Sequence, residues 1–406
     1  MNFVEKISIL KKIIIGIQFL FVAFGATVLV PLLVGIDPSL ALFSAGVGTL
    51  LFHFITRGKV PVFLGSSFAF IAPIIEATRL FGYRGMLSGI VAIGVVYTVA
   101  SFLVRWKGKI IIEKLFPKVV IGPVIIIIGL SLAPTAVDMA KSNWLLAIIS
   151  LLTSIFIVVY TKGLIKLIPI FIGIVVGYLV AVIIGKVDFT PVAEARWFLI
   201  PEFALPVWSW KAVLFMIPVA IAPIIEHVGD IYAIGEVTGK DYVKDPGLHR
   251  TLLGDGLATS LAGFFGSVPN TTYSEVTGAI SLTKMGKPVI LRISAITAIL
   301  FSLTGKIGGV LKSIPSAVLG GIMLLLFGMI ASVGIKTLVE SKTDLNSTRN
   351  MVIISVILTV GIGGAAFNLD SFSLSGIGLA SVVGVILNLI LPKQKAGTQS
   401  ETIERH

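Results

Sequence analysis

Apolar stretches of bilayer-spanning length run through almost the whole of this sequence. Fourteen of them, near 12–34, 38–56, 60–76, 85–104, 118–134, 145–160, 164–185, 211–235, 250–266, 267–282, 288–305, 311–331, 350–366 and 372–391, are separated by short charged or turn-forming links. A hydrocarbon core takes about 20 apolar residues per helix. Because lipid offers no partner to an unpaired N–H or C=O, a chain with this pattern is expected to fold as an all-α polytopic membrane bundle. Composition agrees. Charged residues make up 13% of the chain and mean hydropathy is +1.04, where a soluble domain carries roughly 25% charge. The 42 glycines and 18 prolines sit inside the apolar runs, as helix-packing and helix-breaking residues do in membrane bundles. The run after Lys11 and Lys12 passes Pro31 without a small-residue cleavage site, so it reads as the first span and not as a cleaved leader.

The net charge of +12 could suggest nucleic acid, which needs basic residues gathered on one solvated face. Here the basic residues sort by membrane side instead. With the links assigned alternately to two sides, 24 of the 32 Lys and Arg fall on the side of both termini and 8 on the other. That asymmetry is the positive-inside rule, so both termini are expected to be cytoplasmic and no nucleic acid is expected as a partner. The longest link on the other side divides the chain. Residues 1–186 hold spans 1–7, 187–210 form the link, 211–392 hold spans 8–14, and 393–406 are expected to be a solvated tail. Seven spans per half reverse the second half's orientation, the arrangement of an inverted repeat.

The third span of each half is a poor helix for lipid. VPVFLGSSFAFIAP runs from Val60 to Pro73, and VPNTTYSEVTGAIS from Val268 to Ser281. Each opens on Val-Pro, and Ser66 and Ser274 each fall five residues after their proline. Interrupted segments at matched places in two halves point to a transporter binding site, because non-helical backbone at membrane depth survives only where it is buried or lines a cavity. Short extended pieces leading into half-helices are expected there, with free N–H groups at the helix starts.

Three acids stand out: Glu226 and Asp230, four residues apart and so on one helical face, and Glu275 just after the second interruption. A carboxylate at the bilayer centre costs about 2.5–3.5 kcal/mol on the mildest scale, so it is expected to face a partner, a cavity or a substrate. No Lys or Arg lies at that depth. His227, about 100° round the helix from Glu226, is the one candidate cation there and is expected to orient it. Proton coupling is therefore assigned to Glu226, Asp230 and His227. Glu76 beside Arg79 and His53 beside Arg57 are expected at the interfaces, and Asn270, Thr271 and Thr272 are expected to cap the broken segment.

Enzymatic readings find little. GxSxG, HExxH and phosphate-loop motifs do not occur, there are no cysteines, and the four histidines are scattered, so neither a catalytic centre, a metal nor a cofactor is expected. A carboxylate pair of Glu226 and Asp230 acting as an intramembrane enzyme lacks a second ligand cluster. An anion carrier of seven-plus-seven architecture would place Lys or Arg where these acids stand.

FGATVLVPLL (24–33), GKVPVFLGSSFAFIAP (58–73), PIIEHVGD (223–230), DPGLHRTLLGDGLATSLAGFFGSVPNTTYSE (245–275) and IPSAVLGGIMLLLFGMI (314–330) together resemble the nucleobase–ascorbate (uracil/xanthine permease) transporter family, in particular its bacterial uracil permease branch. The resemblance implies fourteen spans in two inverted repeats and short antiparallel strands in spans 3 and 10. It also implies a core domain of spans 1–4 and 8–11, a gate domain of spans 5–7 and 12–14, and often a homodimer in the cytoplasmic membrane. It implies proton-coupled import of a nucleobase, uracil first and xanthine second. Glu226 would accept from the imide N–H groups of the base, Glu275 would bind it from the tenth span, and the backbone at Phe68 and Ser274 would add polar contacts, with the Phe68 ring near the base. This chain departs from the uracil pattern at Asp230, where that branch has histidine and the xanthine branch an acid. It departs again at Ser274 and Val276, where the family has glycine and asparagine, and at Phe19, where it has histidine.

Overall fold

The computed structural model describes residues 8–108, 117–163, 165–369 and 372–392. The expected tail over 393–406, and Lys6, Lys109 and Lys114 among the basic residues, lie outside them. The described chain is mainly helical. Its first half runs α1 (Ile9–Leu33), α2 (Pro38–Ile55), β1 (Leu64–Ser66), α3 (Ile71–Lys107), α4 (Lys118–Ser131), α5 (Ala133–Lys141), α6 (Trp144–Tyr160) and α7 (Pro169–Ile183). A short α8 (Thr190–Glu194) lies in the link. The second half runs α9 (Trp210–Met216), α10 (Ile221–Thr238), α11 (Leu248–Phe265), β2 (Asn270–Thr272), α12 (Ser274–Thr283), α13 (Pro288–Ser302), α14 (Gly305–Lys312), α15 (Ser316–Glu340), α16 (Thr348–Ile362), β3 (Ala366–Leu369), β4 (Phe372–Ser375) and α17 (Gly376–Ile390).

Six helical stretches among the described residues have the length and hydropathy to cross a bilayer, and five shorter helices are strongly apolar. The chain is a multi-pass membrane protein. Local signals place several helix starts: the side chains of Ser8, Asp37, Asn143, Ser209 and Ser347 each accept from a first-turn N–H. Some boundaries differ from expectation. Spans 3 and 4 share the single helix α3, broken only at Gly82, whose φ of 72° and ψ of 164° interrupt the helix. In the twelfth expected span, α15 begins at Ser316 and continues to Glu340, past the expected end at 331, while 305–312 form the separate α14. The helix of expected span 350–366 ends early, at Ile362, and expected span 372–391 gives its first four residues to the β3–β4 hairpin, whose register pairs Ala366 with Ser375.

Helices from the two halves pack against one another. α3 lies along α11, α2 lies against α11 and α13, and α1 against α13; separately, α15 packs on α4, α5 and α6, and α16 on α4 and α17. Small residues make the tightest of these crossings: a Cβ on Gly256 of α11 would sit 2.6 Å from Tyr97 Cβ and 2.8 Å from the Gly94 carbonyl of α3. Without a hydrophobic drive between helices in lipid, close backbone approach of this kind supplies the contact energy.

The two broken spans pair with each other. β1 and β2 form an antiparallel ladder with Leu64 opposite Thr272, Gly65 opposite Thr271 and Ser66 opposite Asn270. Leu64 and Thr272 each stand four residues after the valine of their Val-Pro, so equivalent residues of the two halves face each other and the pseudo-twofold axis passes through that pair. This is the geometry that an inverted repeat requires.

Candidate functional site

Each strand of the ladder leads into a helix that runs away from it. After β1 a 3-10 turn at Phe68–Phe70 opens α3, and after β2 the helix α12 opens at Ser274. Because the strands are antiparallel, the two helix starts lie at opposite ends of the ladder. Both positive dipole ends therefore face the middle of the bundle. Neither start carries a side-chain cap, in contrast to α1, α2, α6, α9 and α16. The chain thus leaves hydrogen-bonding capacity at these two starts.

The ladder is held firmly. Tyr273 Oη donates to the Ser66 carbonyl at 2.8 Å and lies 3.2 Å from Thr27 Oγ1 of α1. Its ring covers Gly65 so closely that a Cβ there would be 2.6 Å from ring atoms. Glycine is needed at 65 for that approach. Asn270, expected as a cap, reaches out of the segment: its Nδ2 donates to the carbonyls of Ser44 and Ala258, each at 3.3 Å, tying the strand to α2 and α11. Thr49 Oγ1 accepts from the Leu64 N–H at 2.8 Å. His53, expected at the interface, is buried with Nε2 2.8 Å from the Val62 carbonyl; the extended run before β1 leaves that carbonyl without a helical partner.

The acids of α10 lie beside the ladder. Asp230 is buried and accepts from Thr272 Oγ1 at 2.7 Å. Glu226, one turn earlier, is half-buried, and Glu275 in the first turn of α12 is exposed. Glu226 lies within electrostatic reach of Asp230, Glu275 and Asp255, so carboxylates from three elements converge on one region, two of them accessible. Phe68 is half-buried, and its ring meets that of Phe327 from α15 edge-on, 6.3 Å between centroids. The backbone of Ser274 opens α12, so every residue expected at the site lies on the ladder, on a helix start beside it, or on α10.

The expected pairing of His227 with Glu226 is not what forms. His227 Nδ1 lies 2.8 Å from Asp255 Oδ2 of α11, with both side chains fully buried. Asp255 is a fourth acid at depth that sequence reasoning passed over, although its signal was available: an aspartate between two glycines inside an expected span, in LLGDGLATS. The 100° between neighbouring positions turns His227 toward α11 while Glu226 faces the ladder. Among the described residues no three His, Asp or Glu side chains gather as a metal site.

A xanthine/uracil permease family model, described as a permease family, matches residues 10–369. The chain belongs to this permease family. Among relatives of the permease, a probable uracil permease of Pasteurella multocida is 51% identical over 394 residues, covering 95% of this chain and 94% of that protein. The uracil permease of Bacillus caldolyticus is 45% identical, covering 96% and 94%, and that of Escherichia coli K12 is 40% identical, covering 95% and 92%. Solved structures similar to this permease include the transmembrane domain of a cyanobacterial bicarbonate transporter, BicA, with TM-score 0.67 and 14% identity over 93% of this chain and 96% of that one. The murine Solute Carrier 26 family member A9 anion transporter in its inward-facing state gives TM-score 0.70 at 13% identity, covering 95% of this chain and 68% of that one. At such identities the likeness is one of fold.

Proposed function

We propose that this permease imports uracil across the cytoplasmic membrane together with a proton, with both termini in the cytoplasm. The observation that carries this reading is the convergence of the accessible Glu226 and Glu275 beside two uncapped helix starts. A pyrimidine base is planar and uncharged, with imide N–H donors and carbonyl acceptors. Carboxylates suit the donors, backbone N–H groups at Phe68 and Ser274 suit the carbonyls, and the Phe68 ring suits the face of the base. The names of the relatives support uracil. Asp230, the feature shared with the xanthine branch, accepts from Thr272 and so serves to hold the ladder.

The proton has a physical reason. Glu226, Glu275, Asp230 and Asp255 cluster in the bundle, and His227 is the potential cation seen in contact with them among the described residues; moving uncompensated negative charge through low dielectric is costly. A proton taken up by this cluster with the base lowers that cost. The movement proposed is of a core made of α1–α3 and α9–α13 against a gate made of α4–α7 and α15–α17, the two sets that pack mainly within themselves. An anion substrate, as in the fold neighbours, would meet repulsion from these acids.

Uptake of labelled uracil and xanthine into vesicles holding the purified permease tests the reading. Uracil uptake should rise with an inward proton gradient and fall when the gradient is collapsed, and Glu226→Gln should remove uptake or its proton dependence. Wild-type behaviour of Glu226→Gln would return that residue to a structural role, and uptake blocked by bicarbonate but not by nucleobases would replace the substrate.

A further inference from the structure

Away from the acids, where α1, α7 and α13 meet, four phenylalanines line a cleft of about 560 Å3. Phe171 of α7 lies 4.6 Å from Phe21 and 5.4 Å from Phe24 of α1, and Phe21 lies 6.2 Å from Phe301 of α13, between ring centroids. Its walls are aliphatic, from Val175 and Leu179 of α7 and Val310 of α14 among others. Such a volume falls in the range of about 300–1,000 Å3 typical of small-molecule sites, yet this one offers a base almost nothing to hydrogen-bond. Its lining residues with polar atoms include Thr304, Lys306 and Trp197, which come together where the link 187–210 crosses the bundle: Gly305 N–H donates to the Trp197 carbonyl at 3.1 Å.

Two observations say what covers it. First, exposed apolar side chains flank the cleft. On α7 the exposed apolar strip Val175, Leu179 and Ile183 borders it, and on α13 Ile296 and Leu300 form a second exposed strip. Second, its polar end is built for the headgroup layer. Trp197 is 77% exposed, as interfacial tryptophans are. Lys306 Nζ donates to the carbonyls of Val192 and Ala193 at 2.7 and 3.3 Å, and an ammonium has three N–H groups, so one is left for an anionic oxygen. A lysine ammonium is a compact point charge with donors suited to a phosphate oxygen.

We infer that this cleft holds an acyl chain of a bilayer phospholipid, its phosphate on Lys306 and its glycerol region at the level of Trp197. The chain would touch α1 and α13 on one side and α7 on the other, and so fill the seam between the two packed sets of helices. The inference is independent of which base the permease carries.

A phospholipid with a photoreactive diazirine midway along one acyl chain, reconstituted with the full-length permease in phosphatidylcholine vesicles, tests it. Adducts should concentrate in 171–179 and 301–314. The double variant Leu179→Trp and Val310→Trp, at two exposed wall positions, should cut that labelling about tenfold. Ile183→Trp, 82% exposed and outside the cleft, should leave it unchanged and shows that an added indole on this face is tolerated. Lys306→Gln should weaken competition by unlabelled phospholipid but not by a diacylglycerol with the same chains. Labelling spread evenly over all lipid-facing helices, labelling unmoved by the double variant, or labelling by a small apolar diazirine but not by the phospholipid would each overturn it.

Discussion

Thr272 Oγ1 donates to Asp230 Oδ2 across 2.7 Å, which fastens the strand of the second broken span to the helix bearing Glu226. The strand and the acid-bearing helix are thereby tied together, although 42 residues separate the two partners in sequence.

Thr272→Val removes this donor with little change of shape and leaves a buried carboxylate short of a bond. A hydrogen bond to a charged group contributes about 1.5–3 kcal/mol. Denaturant unfolding of the purified permease should show a loss of that size for Thr272→Val, while Thr272→Ser keeps most of the stability. Equal stability of the two variants would separate the strand from Asp230.

Two glycines near the site should respond oppositely to alanine. A Cβ at Gly65 meets the Tyr273 ring at 2.6 Å, whereas one at Gly229 in α10 meets nothing within 4 Å. Overpacking costs about 1–3 kcal/mol, so Gly65→Ala should lower both melting temperature and uracil uptake. Gly229→Ala, in a helix interior, should be neutral or more stable by about 0.5–1 kcal/mol. Loss of fold in both would mean that helix crowding, not the ring, decides.

Much of this was legible in the sequence for physical reasons. Bilayer-length apolar runs give the helices, and the matched Val-Pro segments give the strand pair, because backbone that cannot be helical in lipid has to find a partner. Glu226, Asp230 and Glu275 were found because charge in such runs is rare. What stayed hidden depends on facing. Helical periodicity places Asp230 on the face of Glu226, but it does not say that His227 turns to Asp255. Nor does a hydropathy profile mark the carbonyl of Val62 that makes His53 a buried residue, or the break at Gly82 that lets one helix serve two expected spans.

The His227–Asp255 contact joins α10 to α11 with both groups fully buried. Removing one partner leaves the other's buried polar atoms without their contact, which costs about 1–3 kcal/mol. His227→Ala and Asp255→Ala should each destabilise strongly, and the double variant by clearly less than their sum, as coupled neighbours do. Additive losses in unfolding measurements would show that the two side chains act separately.

The proposed movement of the core against the gate can be tested where α1 meets α7. A Cβ placed on Gly25 would stand 3.4 Å from the Ile170 Cβ, close to the roughly 3.5–4.5 Å spanned by disulfides. The contacts that crowd that Cβ come from the Ile170 side chain itself, so Gly25→Cys with Ile170→Cys relieves the crowding while supplying both sulfurs. The chain has no cysteines of its own, so any bond formed is the engineered one. If transport requires these helices to slide or separate, oxidation of the double variant should reduce uracil uptake at least tenfold and reduction should restore it, with each single variant unaffected by either treatment. Full uptake with the disulfide quantitatively formed would place the moving boundary elsewhere in the bundle.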